Sequence, residues 1–213
     1  GTWLQARNNK TNISVVIGRD ARISGPMVLN LCIVALQGLG IDVIDIGLST
    51  TPTVEIAVPK EKAQGGIIIT ASHNPKQWNA LKLLNEKGEF ISDADGKELL
   101  NIAETEAFNF AEVDDLGKIS FIDNYISKHI EEVLKLKLVD IELIKNANFK
   151  IACDCVNSTG GIAVPMLLDA LGVKNVIKLY CEPNGNFPHN PEPLPENLID
   201  ISKTVVDNSA DLG

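Results

Sequence analysis

The sequence predicts an α/β protein of mixed, mostly parallel sheets sandwiched by helices. Three observations carry that expectation. Short apolar runs bounded by turn residues alternate with stretches of helical periodicity along the 213 residues. Gly65-Gly66-Ile67-Ile68-Ile69-Thr70 is continuously apolar, as suits a strand covered on both faces in a parallel sheet. After a less patterned stretch at 109–120, the alternation restarts at Phe149, which predicts two domains, 1–118 and 119–213.

Ile13 to Ile17 reads as a strand stopped by Gly18, and Gly25 to Leu39 carries Met27, Leu31, Val34, Ala35 and Leu39 at helical spacing. Gly38 and Gly40 suit the end of that helix. Ile41 to Ile46 is a second strand, and Thr51-Pro52 opens a helix towards Lys62. Leu81–Leu84 and Glu89–Ser92, around Asn85-Glu86-Lys87-Gly88, predict a hairpin. Asp93 or Asp95 caps a helix to about Ala107, and a further helix spans about Ile122 to Leu136 with His129 on it, partly exposed. Phe149–Cys155 is a strand, Asn157–Gly161 a turn, and a helix runs on to Leu171. Asn175–Tyr180 is a strand, Cys181–Pro195 a Pro- and Asn-rich loop, Asn197–Asn208 a helix, and a further strand begins near Gly213.

Composition removes several classes of function. The net charge of −9, from 19 basic and 28 acidic side chains, argues against general nucleic-acid binding while allowing a small phosphorylated ligand held by local cations. No apolar run approaches the roughly 18–20 residues that span a bilayer, and the start lacks the pattern of a secretory signal, so a cytoplasmic protein is expected. Of the four cysteines, Cys153 and Cys155 alternate along a strand and face one side. With no CxxC pair and no histidine close in sequence, buried reduced thiols are expected rather than zinc or redox chemistry.

Ligands in such folds collect at the carboxyl ends of strands. Two loops there carry chemistry. Thr70-Ala71-Ser72-His73-Asn74-Pro75 leaves the best strand candidate, and Asn79 and Lys82 follow it. A serine among histidine, lysine and amides can accept and release a phosphoryl group, since that transfer depends on positioning and on neutralising charge. It can also be a turn serine beside a surface histidine. Neighbouring side chains in extended backbone point apart, so Ser72-His73 is not a hydrolase dyad by adjacency alone. Gly18-Arg19-Asp20-Ala21-Arg22-Ile23-Ser24-Gly25 offers two guanidinium groups, either for phosphate or for an Arg–Asp network fixing a tight turn. The sequence holds no P-loop, GxGxxG, HExxH or GxSxG motif.

These two loops, with Thr51-Pro52-Thr53 between them, resemble the α-D-phosphohexomutases, the family of phosphoglucomutase, phosphomannomutase and phosphoglucosamine mutase. Asp154-Cys155-Val156-Asn157 and Asn190-Pro191-Glu192-Pro193 resemble signatures of that family's second domain. The resemblance implies an isomerase acting by intramolecular phosphoryl transfer on a phosphorylated hexose, glucose or mannose phosphate, through phosphoserine at Ser72 and a hexose 1,6-bisphosphate that also serves as activator. It implies catalytic roles for Ser72, His73 and Lys82, and substrate contacts for Arg19, Arg22 and Asn74. It implies Mg2+ on the Ser72 phosphate, the aspartates that complete its site lying beyond residue 213. Ala80, often glycine in the family, and Trp78 depart from the pattern. The family has four domains, so the resemblance implies a piece holding the first, without its opening strand and with the helix after it starting partway at Gly1-Thr2-Trp3-Leu4, and most of the second, inactive alone. A non-catalytic relative of the same fold, or a serine hydrolase using Ser72, are the other readings.

Overall fold

The structure, a computed structural model, describes residues 1–8 and 12–213. Two compact units divide the chain: Gly1–Arg19, Ser24–Thr70 and Ala80–Tyr125 form one, and Asp20–Ile23, Ala71–Asn79 and Ile126–Gly213 the other. The expected α/β architecture with mostly parallel pairing is present.

The first unit contains α1 (Thr2–Arg7), β1 (Ser14–Arg19), α2 (Gly25–Gly38), β2 (Asp42–Leu48), α3 (Thr51–Lys60), β3 (Gly65–Ile69), β4 (Leu81–Leu84), α4 (Asp93–Thr105) and β5 (Ile119–Phe121). The sheet order is β4-β3-β1-β2-β5, parallel except for β4, which runs antiparallel to β3. Its central strands β1 and β3 are largely apolar because both faces are covered. Val15 and Ile17 pack with Leu29, Ile33 and Leu36 of α2 and with Trp3 and Leu4 of α1. Val16, facing the other way, joins Val54, Ala57 and Val58 of α3, Ile68, Leu84 and Tyr125. Tyr125 is buried, its hydroxyl donates to Glu61, and burial with that carboxylate pushes the phenol pKa upward. The chain goes from β1 to β2 on one side and returns to β3 on the other, so the sheet's topological switch point lies at the adjoining carboxyl ends of β1 and β3.

The second unit contains α5 (Tyr125–Leu134, its first residue counted with the first unit), α6 (Ile141–Ala147), β6 (Lys150–Asp154), α7 (Gly160–Ala170), β7 (Asn175–Leu179) and α8 (Ile199–Asp207). β6 and β7 are parallel, with α7 as the crossover. The strand expected to begin near the end is visible as a parallel bridge from Leu212 to Ile151, where the Ala152 N–H donates to the Leu212 carbonyl at 2.9 Å.

Several local expectations are corrected. Strand β1 continues through Gly18 to Arg19, since parallel partners on both sides hold it there. The hairpin keeps only its first strand: 89–92 offers a single bridge, Leu84 to Phe90. The cap of α4 is Ser92, not Asp93 or Asp95; Asp95 is the reciprocal third residue of a capping box. Its carboxyl pKa is lowered, first by the Ser92 hydroxyl and backbone N–H and then by Arg7. β5 and α6 fall where no element was expected, and α5 starts at Tyr125 rather than Ile122. His129 is partly exposed as expected, and partial burial lowers its pKa.

Candidate active site

Ser72 follows the end of β3 by three residues and is exposed. Its φ is +54°, a left-handed conformation that costs a residue with a Cβ on the order of 1–3 kcal/mol. Something must hold it there, and Arg22 does. The Asp20 carboxylate first folds the turn on itself, one oxygen accepting from the Arg22 backbone N–H at 2.9 Å and the other from Arg22 Nε at 3.0 Å. The four remaining guanidinium hydrogens then go to backbone carbonyls: Nη1 donates to Pro75 at 2.7 Å and Trp78 at 2.9 Å, and Nη2 to Ser72 at 2.9 Å and Asn74 at 2.8 Å. All five donors of the guanidinium are thereby engaged, and the side chain is fully buried, with its Cζ 5.2 Å from the Phe187 ring centre.

Of the two readings open for this turn, the Arg–Asp network describes Arg22. It has no donor left for a phosphate and acts as a positioning residue for the serine loop. Asn74 closes the same loop, its backbone and side-chain N–H groups both donating to the Ala71 carbonyl, at 3.0 and 2.9 Å. The divergence expected of Ser72 and His73 holds only for extended backbone. With Ser72 left-handed, Ser72 Oγ and His73 Nδ1 lie 3.5 Å apart. Arg19 and Lys82 belong to the first unit. Arg19 ends β1 opposite Ile69, and Lys82 pairs with Ile68 from β4, so they flank the end of β3 on its two sides. Lys82 Nζ stands 5.8 Å from the Phe90 ring centre. The structure therefore gathers Ser72, His73, Asn74 and Arg22 in one loop system of the second unit, while Arg19 and Lys82 lie on strands of the first.

The loops after β6 and β7 form a second framework. Val156, Asn157 and Tyr180 all have positive φ, 44°, 53° and 50°, unusual above all for a β-branched valine. The Asn157 carbonyl accepts from Gly185 at 3.0 Å, and its side-chain amide donates to the Asn186 carbonyl at 2.9 Å. Asp154 accepts from the Val156 N–H at 3.0 Å and pairs with His189 Nε2 at 2.9 Å. Sequence reasoning did not single out His189. The only available signal was a lone histidine in an ordered Pro- and Asn-rich loop, with nothing to connect it to a carboxylate 35 residues away.

His189 Nδ1 lies 2.9 Å from the Asn190 carbonyl, so both ring nitrogens face acceptors and only the imidazolium satisfies both. Burial by itself lowers the His189 pKa, but the Asn190 carbonyl, Asp154 and Asp200 together outweigh it, and the pKa is raised above its ordinary 6.5. A raised folded-state pKa gives stability that is complete below the unfolded value and lost as pH climbs through the folded one. We expect the His189 resonances to titrate above 6.5 in an NMR pH series and to fall back in Asp154→Asn. The destabilisation caused by His189→Gln should shrink as pH rises through the same range. Titration at or below 6.5 would remove the pairing.

The first unit's mostly parallel sheet, with α1 and α2 packed on one face and α3 on the other, is an α/β/α sandwich. Residues 1–110 match the profile of phosphoglucomutase/phosphomannomutase alpha/beta/alpha domain I and residues 124–213 that of domain II. The chain belongs to the phosphoglucomutase/phosphomannomutase family. It is 36% identical to a phosphoglucomutase/phosphomannomutase of Thermococcus kodakarensis over all of its own length and 46% of that protein. It is 36% identical to a probable phosphoglucosamine mutase of Methanosarcina barkeri, over 94% of this chain and 44% of that one. It superimposes with a TM-score of 0.80 and 25% identity on a phosphoglucomutase/phosphomannomutase family protein of Burkholderia thailandensis, covering 97% of this chain and 44% of that chain. The chain thus spans less than half the length of these relatives. No helix among the described residues is long and apolar enough to cross a membrane.

Proposed function

We propose that this chain carries the phosphoryl-bearing part of a phosphohexomutase, with Ser72 as the residue that holds the phosphoryl group. The observation that carries the reading is the Ser72 loop itself: an exposed hydroxyl on a strained backbone, locked by a buried arginine whose four terminal N–H groups are directed at the loop carbonyls. A loop held that way keeps a reacting oxygen in place, and transfer to a bound sugar depends mostly on placement. In the proposed reaction a hydroxyl oxygen of a hexose monophosphate attacks the phosphorus on Ser72. The Ser72 Oγ–P bond breaks, the sugar hydroxyl proton passes to a neighbouring base, and a hexose 1,6-bisphosphate results. After turning over, the sugar returns its other phosphoryl group to Ser72 Oγ. His73 and Lys82 are proposed to move the proton and to offset charge on the transferring group, with Arg19 proposed to contact substrate.

Glucose or mannose phosphate is the proposed substrate, in line with the name of the Thermococcus relative, and the cytoplasm the proposed setting. The described residues do not by themselves supply a Mg2+ site. The one group of three potential ligands among them is made of cysteines, whose soft sulfur atoms suit a hard ion poorly. Mg2+ is proposed only together with oxygen donors outside these residues, and no step above is routed through it.

Phosphopeptide mapping tests the reading, in a protein of the relatives' full length incubated with a hexose 1,6-bisphosphate and Mg2+. The expected result is phosphate on Ser72, absent from Ser72→Ala together with mutase activity. An unphosphorylated Ser72 in a folded protein would sink the mutase reading and favour a non-catalytic relative of the same fold.

A further inference from the structure

The sequence left Cys153 and Cys155 as a pair on one face of a strand. Folding adds a third thiol. β6 and β7 are parallel neighbours, and Cys181, two residues past the end of β7, arrives beside the end of β6. The three sulfur atoms lie within 4.8 Å of one another. Cys153 Sγ and Cys181 Sγ are 4.0 Å apart, about twice a disulfide bond length. Three thiolates that each stand about 2.3 Å from one ion lie about 3.8–4.0 Å from each other, so the Cys153–Cys181 separation is that of a shared ion's ligands, with Cys155 within reach of the same ion.

The surroundings fit the same reading. Cys153 and Cys155 are buried and Cys181 is half-buried, so the cluster has a dry floor and one side near solvent. α7 begins directly on the cluster, and its first two residues are bare. A Cβ at Gly160 would lie 3.6 Å from Cys155 Sγ, and one at Gly161 would lie 2.2 Å from the Cys181 carbonyl oxygen. The positive end of an 11-residue helix thus sits next to the thiols, where it favours negative charge.

We propose that Cys153, Cys155 and Cys181 form a binding site for one thiophilic divalent cation, Zn2+ being the probe of choice, with water in the fourth tetrahedral position on the Cys181 side. Loading balances as Zn2+ plus three S–H groups giving one zinc trithiolate of net charge −1 and three protons released to solvent. The residual negative charge faces the start of α7. Such an ion ties the end of β6 to the segment after β7 and so braces the two strand ends from which the Asp154 and His189 loops depart. Cys32 lies in the first unit and has no part in it.

Co2+ titration of the full chain, with a non-thiol reductant present, tests the site. The expected result is one Co2+ per chain, an intense thiolate-to-cobalt absorption band, and loss of that band on adding Zn2+. Cys181→Ser, a half-buried and conservative change, should abolish the band while leaving the circular dichroism unchanged. Cys153→Ser and Cys155→Ser should do the same where they fold, and Cys32→Ser should keep it. Absence of the band at one equivalent, its survival in Cys181→Ser, or its loss in Cys32→Ser would each overturn the proposal.

Discussion

Replacing Arg22 with methionine is expected to lower the unfolding free energy by about 3–5 kcal/mol, the usual result of removing one partner from a buried charge network. Methionine fills similar volume, so the loss is electrostatic rather than a cavity. Four carbonyls, those of Ser72, Asn74, Pro75 and Trp78, lose their guanidinium donors, and the buried Asp20 carboxylate loses its counter-charge. Each buried polar group left without a partner costs about 1–3 kcal/mol where water cannot reach it. Arg22→Lys should recover part of the loss only. It restores the charge but has three donors on one nitrogen, which cannot reach carbonyls spread around a planar fork. Urea unfolding reads the stability, and hydrogen exchange of the Asn74 and Trp78 amides reads the loop. An Arg22→Met variant within about 0.5 kcal/mol of the parent, the range of an ordinary surface change, would show that the clamp does not hold the loop.

Gly185→Val should cost about 2–4 kcal/mol, for two separable reasons. Gly185 has φ +75°, where any Cβ is strained, and a Cβ there would stand 2.2 Å from the Ala21 carbonyl oxygen. Backbone cannot step aside as a side chain tip can, and this backbone is the one that leads into Arg22. Gly47 separates the two causes. Its φ is +65° but nothing lies within 4 Å of its would-be Cβ, so Gly47→Asn should cost less than about 1 kcal/mol. Gly185→Asn relieves the conformational strain and keeps the clash, and should remain costly. Thermal or urea unfolding of the three variants makes the comparison. Equal effects at Gly185 and Gly47 would mean that the close approach to Ala21 is not what requires glycine. Combined with Arg22→Met, Gly185→Val should be less than additive, because both changes loosen the same turn.

Much of the fold was legible because burial on both faces leaves a plain mark on sequence. β1 and β3 are apolar runs, β2 and β6 are short strands rich in apolar residues, and α2, α3 and α7 fall close to where the sequence predicts them. What went unread has little burial to mark it. β5 is three exposed residues on the sheet edge, held by backbone pairing to β2, and α6 is a short helix with no buried residue. The choice of Ser92 over Asp93 or Asp95 as a cap turns on which side chain reaches a particular N–H, a matter of ångströms among three acceptable candidates.

The candidate site divides in the same way. Ser72 comes three residues after β3, a strand whose apolar run marks it as covered on both faces, and Asn74-Pro75 enforces a turn, so its place in a loop just past a strand's carboxyl end was legible in the sequence itself. The fate of Arg22, the Asp154–His189 pair and the convergence of Cys153, Cys155 and Cys181 was decided only by tertiary structure. Each depends on groups far apart in the chain: Arg22 and the loop carbonyls by 50 or more residues, Asp154 and His189 by 35, Cys153 and Cys181 by 28. Local propensity acts over a few residues and says whether a side chain leaves a turn or a strand. Which partner it meets is set by how strands are ordered in the sheet and how the loops between them pack, and that ordering follows from the burial of whole elements rather than from the residues that later do the chemistry.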